Sequence, residues 1–415
     1  MRSRAIGRST LPLGFRRLVW SNLIAQTAEQ IGLAATPLAA VFVLNSSAAE
    51  NGYLQTAQTL PFLCLSLPFG VLADRFSRRK LMALAEMTRA CMLATILVCL
   101  AAHTISLFSL GLFSFLAAAG TVAYNVSAPS LVASIVSRDA LPMANGRTEL
   151  VRSVAYSAGP ALGGLLGGWI GPVWAFGAAA LLSASAAGLL SRMDEPQRPT
   201  GKHRNVRKDL VEGAQFVIAE PLLRSIMVTA FFFNIGLFSI YAVYVPYAAR
   251  WLQMNPSQIG ATMAMYGIGM IIGALFARVI TRKTSFGMSM GIGPLFAWVA
   301  SIVMLMTILF PSFWIACLCF FLLGSGPILW VISSTTLRQV VTPPLLLGRV
   351  SSLIALATYG SRPIGTMIGA TVAQFYSQRG SLVVAFVAFS IQAVVIFRSP
   401  VVRLRDVPEA ASVGI

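Results

Sequence analysis

Charge is scarce in this chain. Of its 415 residues only 11% are Asp, Glu, Lys or Arg, against about 25% in an ordinary soluble domain. With 57% of residues hydrophobic, too little polar surface is available to cover a fold in water. Acids are scarcer still, 13 against 31 Lys and Arg, and the only histidines are His103 and His203. No GxxxxGK[ST] phosphate loop, HExxH helix or Ser–His–Asp set is present, so ATP hydrolysis, zinc chemistry and nucleophilic catalysis lack their residues. A conventional enzyme is excluded on that ground, and no cofactor or metal is expected. The five cysteines, Cys64, Cys91, Cys99, Cys317 and Cys319, sit in apolar runs without CxxC spacing. They read as small buried hydrophobes rather than a disulfide framework. No cleavable signal is expected either. Five arginines in Met1–Arg17 precede a long run containing Gln26, Glu29 and Gln30, which predicts a retained first helix.

Long apolar runs dominate instead. A membrane-crossing helix needs about 20 apolar residues. The pattern predicts twelve helices, at 16–44, 51–73, 80–101, 104–134, 145–169, 171–191, 222–248, 257–280, 285–310, 312–337, 348–374 and 380–399. The stretch 192–221 is too polar for lipid and separates a bundle within 1–191 from a second within 222–415. The net charge of +18 does not mark a nucleic-acid binder, because the cations sit in short segments between apolar runs. With the N-terminus inside, 26 of the 31 Lys and Arg fall on internal segments; Arg250 and Arg379 lie outside, and Arg89, Arg152 and Arg362 lie within helices. That bias places both termini in the cytoplasm and the chain in a bacterial inner membrane.

An internal repeat divides the chain. Gly70–Lys80, reading GVLADRFSRRK, aligns with Gly273–Lys283 at an offset of 203, and Gly146-Arg147, Gly163 and Gly167 fall on Gly348-Arg349, Gly365 and Gly369 at 202. An even number of helices per copy makes the two copies parallel, related by an axis along the membrane normal.

These features resemble the major facilitator superfamily over essentially the whole chain. Gly70, Asp74, Arg75, Arg78, Arg79 and Lys80 resemble its motif A, a charged cytoplasmic hairpin. There Gly70 is expected to permit close helix approach, and Asp74 to latch against a helix N-terminus. Ser77 replaces a usual glycine, and the second copy has Ala277 in place of the acid. Gly159, Pro160, Gly163 and Gly164, with Gly167 and Gly168, resemble motif C of the family's antiporters. They predict a closely packed, bendable fifth helix. The fourth helix has no charge between Leu110 and Asn125 and so lacks the motif B arginine. Pro61 and Pro68 ahead of motif A, Pro129, and the stretch Asn145–Gly168 look most like the branch of enterobactin exporters and macrolide efflux proteins. The resemblance implies an all-α fold of two pseudo-symmetric six-helix bundles and a monomer as the working unit.

Ionisable residues at membrane depth are functional candidates by default. Glu29 lies near the middle of the first helix and Arg362, beside Pro363, near the middle of the eleventh. Glu29 is the candidate proton carrier. Arg362 is a candidate for an anionic group of the substrate, or for pairing with Glu29. Glu86 and Arg89 can pair on one helix face, with a structural role favoured; Glu149 and Arg152 repeat the spacing as either a gate or an anchor. Gln26, Gln55 and Asn234 are candidate cavity residues, and Tyr241, Tyr244, Tyr247 and Phe231–Phe233 accompany them. An aromatic cavity with a few polar anchors suits an amphiphilic organic solute. The reading is a secondary transporter by alternating access, exporting a siderophore-like or drug-like molecule in exchange for protons. An importer of a small nutrient, or a membrane sensor or partner that no longer transports, stands as the alternative.

Overall fold

A computed structural model describes residues 13–136, 140–193, 206–343, 346–406 and 408. Among them, fourteen α-helices follow one another without a strand. They are α1 (Leu13–Phe42), α2 (Ala48–Cys64), α3 (Ser66–Arg75), α4 (Arg78–Ala101), α5 (Leu107–Ile135), α6 (Leu141–Trp169) and α7 (Pro172–Ser191). Next come α8 (Val206–Ala219), α9 (Pro221–Arg250), α10 (Pro256–Lys283), α11 (Phe286–Leu309), α12 (Phe313–Val341), α13 (Leu347–Phe375) and α14 (Gln378–Arg398), then a 3-10 turn at Pro400–Arg403. Their starts follow from local chemistry. Ser47 with Glu50 and Asn255 with Gln258 form reciprocal capping boxes, and Pro172, Pro221 and Pro256 occupy first helical positions where no amide hydrogen is needed.

Eight helices are long and apolar enough to cross a membrane, nine if the bent pair α2–α3 counts as one. The protein is a multi-span membrane protein. α1, α6 and α13 are as long, at 30, 29 and 29 residues, but carry Glu29, Arg152 and Arg362 among their apolar residues. Such helices need shielding from lipid. The packing supplies it: α1 lies against α6 and α7, α6 against α10, and α13 against α2 and α9. The lipid-facing surface is apolar instead, with Phe108, Leu181, Leu275 and Trp314 exposed.

Two places differ from the sequence-based expectation. The predicted helix 51–73 is broken at Leu65, where α2 and α3 meet at 44°. Pro68 has no amide hydrogen, and its ring would meet the carbonyl four residues back, at Cys64; the Ser66 hydroxyl donates to Phe62 O instead. The polar stretch 192–221 contains α8, whose Phe216 and Val217 pack with Leu337, Val350 and Ile354. Residues 194–205 lie outside the described residues.

Packing between α1–α7 and α9–α14 is concentrated in two helix pairs, α6–α10 and α2–α13. At the first, a Cβ on Gly164 would stand 2.6 Å from Gly260 Cα, and one on Gly260 2.5 Å from Pro160 O. Only glycine permits that approach at either position. α6 runs unbroken through Pro160, and Gly159 and Gly163 seat Gln30 and Ala34 of α1. Gly70 behaves otherwise. A Cβ there would meet nothing nearer than Val126 at 3.9 Å, so it is not a close-packing glycine but part of a cavity wall.

Candidate functional site

A cavity of about 910 Å³ lies between the two sets of helices. Its aromatic wall comes from Phe62, Tyr156, Phe238, Tyr241, Tyr266 and Tyr359. The polar neutral groups include Asn125, Thr229, Asn234 and Gln392, and the charged ones are Arg152, Arg338, Arg349 and Arg362. Among the described residues, no Asp or Glu lines it.

The cavity runs to the end of the molecule where Gly70, Ala73, Gly348 and Ser352 line it. That end also carries Arg75, Arg78, Arg79, Lys80, Arg282 and Lys283, which marks it as cytoplasmic. The opposite end is closed. Asn51 Nδ2 donates to Ala242 O at 2.8 Å, the Tyr53 hydroxyl to Gln374 Oε1, and Arg250 Nη2 to Ser46 O at 2.6 Å. Thr56 Oγ1 donates to Thr366 Oγ1 at 2.9 Å, and the Arg379 guanidinium stacks over Trp251 at 3.7 Å. The structure therefore faces inward.

Arg362 stands on α13 with its guanidinium carbon 4.5 Å from the Tyr359 ring centre and 5.1 Å from those of both Phe62 and Phe238. Three π faces hold the cation in place, yet its Nε is buried without a hydrogen-bond partner. Arg338, near the end of α12, likewise has a buried, unpartnered Nε. The other two arginines are neutralised. Arg152 Nη2 meets Glu149 Oε1 at 2.6 Å, and Arg349 pairs with Glu212 of α8.

Glu29 and Arg362 form no ion pair. Glu29 borders a separate chamber of about 40 Å³ with Gln58, Thr36, Ser114, Thr121 and Arg89. Phe62 lines both spaces and divides them. Gln58 Oε1 and Ser114 Oγ at this chamber are buried without partners, and the volume holds one or two water molecules. Glu86 and Arg89 do pair, at 2.7 Å to Oε1. Arg89 also donates to Ser183 Oγ, Thr121 Oγ1 and Ala25 O, tying α4 to α7, α5 and α1.

The other candidates divide. Asn234 lines the cavity, its Nδ2 donating to Ala230 O. Gln26 is buried behind the wall and donates to Asn125 Oδ1 at 3.3 Å. Gln55 is buried outside the lining. Tyr241 and Phe233 face the cavity, whereas Tyr244 and Tyr247 bond to Thr262 and Thr307 within a packed core. In the charged hairpin, Arg78 donates to Ser130 O at 2.8 Å and Arg79 to Ser191 O at 3.2 Å. Both carbonyls lie near helix C-terminal ends, where cations are favoured. Arg75 is exposed, and the side chain of Asp74 lies outside the described residues.

Arg338, Arg349, Tyr156, Tyr266 and Tyr359 were not legible as cavity residues. Arg338 reads as a loop cation because the helix predicted at 312–337 stops short of Val341, and Arg349 reads as a cytoplasmic-end cation at the start of the helix predicted at 348–374. Tyrosine hydroxyls in the middle of apolar runs were the available signal for the rest.

Comparison with known proteins gives a consistent picture. The model of a transmembrane secretion effector family matches residues 11–413. The enterobactin exporter EntS of Escherichia coli O1:K1 / APEC is 30% identical over 292 residues, covering 68% of this chain and 67% of that protein. Among solved structures, a bacterial homologue of the iron transporter ferroportin in its inward-facing state matches with TM-score 0.73 at 15% identity, covering 94% of this chain and 99% of that one. A bacterial homolog of the human lysosomal transporter Spinster, inward-facing and unoccupied, matches with TM-score 0.70 at 16% identity over 95% and 98% of the two chains.

Proposed function

Because the chain belongs to the transmembrane secretion effector family, within the major facilitator superfamily, we propose that it exports a small amphiphilic organic molecule from the cytoplasm in exchange for protons. The observation that carries this reading is the cavity open towards the cation-rich end and sealed at the other. Such a cavity takes a solute from the cytoplasm. Its size lies within the range of drug-sized sites, and its aromatic wall suits a ring-bearing molecule such as a siderophore or a drug. The similarity to an enterobactin exporter supports the outward direction.

Proton exchange needs a group that changes charge during the cycle. Of the acids deep in the spans, Glu86 and Glu149 are held by Arg89 and Arg152. Among the described residues Glu29 has no ion-pair partner, and it faces a water-sized chamber one ring away from the cavity. Movement of Phe62 would join the two spaces, so that the solute and the proton on Glu29 compete. The test is uptake into energised inverted vesicles of catechol siderophores and lipophilic drugs. Acid-driven uptake of one compound is expected, with at least a tenfold loss in Glu29→Gln. Full uptake in Glu29→Gln would remove Glu29 as the coupling acid, and uptake independent of the proton gradient would remove the antiport.

A further inference from the structure

Four arginines reach the cavity and no acid does, among the described residues. Glu149 and Glu212 stand behind two of the four. Arg338 and Arg362 have no ion-pair partner among the described residues, and each holds a buried nitrogen with no acceptor. Unpaired cations in a partly dehydrated space are costly, and such groups normally find a counter-charge. No described acid pairs with either, so the solute is the candidate to supply it.

Position sharpens this. Arg349 opens α13 at the cytoplasmic mouth, and Arg362 lies 13 residues further along the same helix, about 20 Å deeper at 1.5 Å per residue. Arg338 stands near the end of α12, on the mouth side. Cations at the entrance and on the floor of one cavity draw an anion inwards. Around the floor cation the rings of Phe62, Phe238 and Tyr359 form an apolar, aromatic collar. A ring stacks there at the same time as its acidic substituent meets the guanidinium edge that the collar leaves free. A cationic amphiphile finds the reverse, like charge at both depths and no carboxylate on the wall.

We propose that this cavity selects an anionic aromatic solute, its acidic group held by Arg362 on the floor after passing Arg338 at the mouth. The proposal rests on the transport reading above and names the class of solute that the site takes. A purely structural role for Arg362, clamped among three rings, predicts no preference among solutes by charge.

The test uses the full-length protein in nanodiscs, with empty nanodiscs subtracted, and two fluorescent probes that differ by one sulfonate. These are 8-anilino-1-naphthalenesulfonate and its neutral parent N-phenyl-1-naphthylamine. The sulfonate is expected to bind at least tenfold more tightly than the parent, and tetraphenylphosphonium not to compete with it. Arg362→Gln and Arg338→Gln should each weaken the sulfonate about tenfold and leave the parent within twofold. Arg362→Lys should keep part of the preference, and Arg282→Gln, an equal loss of charge outside the cavity, all of it. Equal affinity for the two probes in the unaltered protein, or displacement by tetraphenylphosphonium, overturns the proposal without any variant having to fold. In proteoliposomes the two readings separate. Sulfonate that binds selectively but is never moved overturns export and leaves the anion site standing, whereas transport of both probes without discrimination overturns the anion site alone.

Discussion

Arg89 illustrates how the packing accommodates a charge at membrane depth. Its guanidinium meets Glu86, Ser183, Thr121 and Ala25 O, which come from four helices. Glu86 is fully buried. Removing one partner of such a pair leaves an uncompensated buried charge, at a cost of about 3–5 kcal/mol. Arg89→Met should therefore lower the unfolding temperature of the detergent-solubilised protein sharply, and adding Glu86→Gln should recover much of the loss. A double variant no more stable than Arg89→Met would show that the ion pair is not what stabilises this junction. The i, i+3 spacing of the pair was legible in the sequence. Its other partners were not, since only the folded bundle brings Ser183 and Thr121 to the same point. The same limit applied to Glu29 and Arg362. Equal depth suggested that they meet, but depth says nothing about the rotation of a helix about its axis, and Phe62 stands between them.

Individual helices were the most legible level. Apolar run length located most of them to within a few residues, because lipid demands a minimum length and tolerates little charge. The break between α2 and α3 was missed although Pro68 was visible, since one proline is compatible with either a kink or a stop. α8 was missed because its segment is polar and its apolar face has meaning only beside α13. Gly159, Gly163 and Gly164 of the strip expected on α6 sit in close contacts and Gly167 does not, while their partner Gly260 on α10 was not identified. The crossing at Gly164 and Gly260 leaves no space for any side chain. Gly260→Leu should force α6 and α10 apart, cost about 1–3 kcal/mol of stability through overpacking, and abolish transport. Gly146→Leu, where a Cβ would meet nothing within 4 Å, should be tolerated at the level of stability. Comparable melting temperatures for the two variants would show that the crossing can relax.

At the scale of the molecule, alternating access requires the seal around Asn51, Gly52 and Thr56 to open while the cytoplasmic mouth closes. Thr56 Oγ1 and Thr366 Oγ1 stand 2.9 Å apart across this seal, so cysteines at these two positions bring their sulfurs within reach of a disulfide. With the five native cysteines replaced by serine, the Thr56→Cys, Thr366→Cys protein should lose transport on oxidation and regain it on reduction. Binding of a solute from the cytoplasmic side should persist while the link is formed. Transport that continues through a fully formed link would mean that this end does not open during the cycle. Orientation rests at this scale on the distribution of cations. The lining of the cavity was legible only at positions such as Arg362, Asn234 and Tyr241, because the rest depends on which face each helix turns towards its neighbours.

The unpaired arginines carry one further consequence, for how the membrane voltage acts on the cycle. In a bacterium the cytoplasm is the negative side. An empty cavity holding positive charge is then drawn to face inwards, with each elementary charge that crosses the field worth about 2.3 kcal/mol per 100 mV. A bound anion cancels part of that charge, so the loaded protein swings outwards with little electrical work against it. On the reading of anion export, the voltage thereby speeds the return of the solute-free, protonated protein and spares the outward step, acting as a rectifier that favours departure over entry.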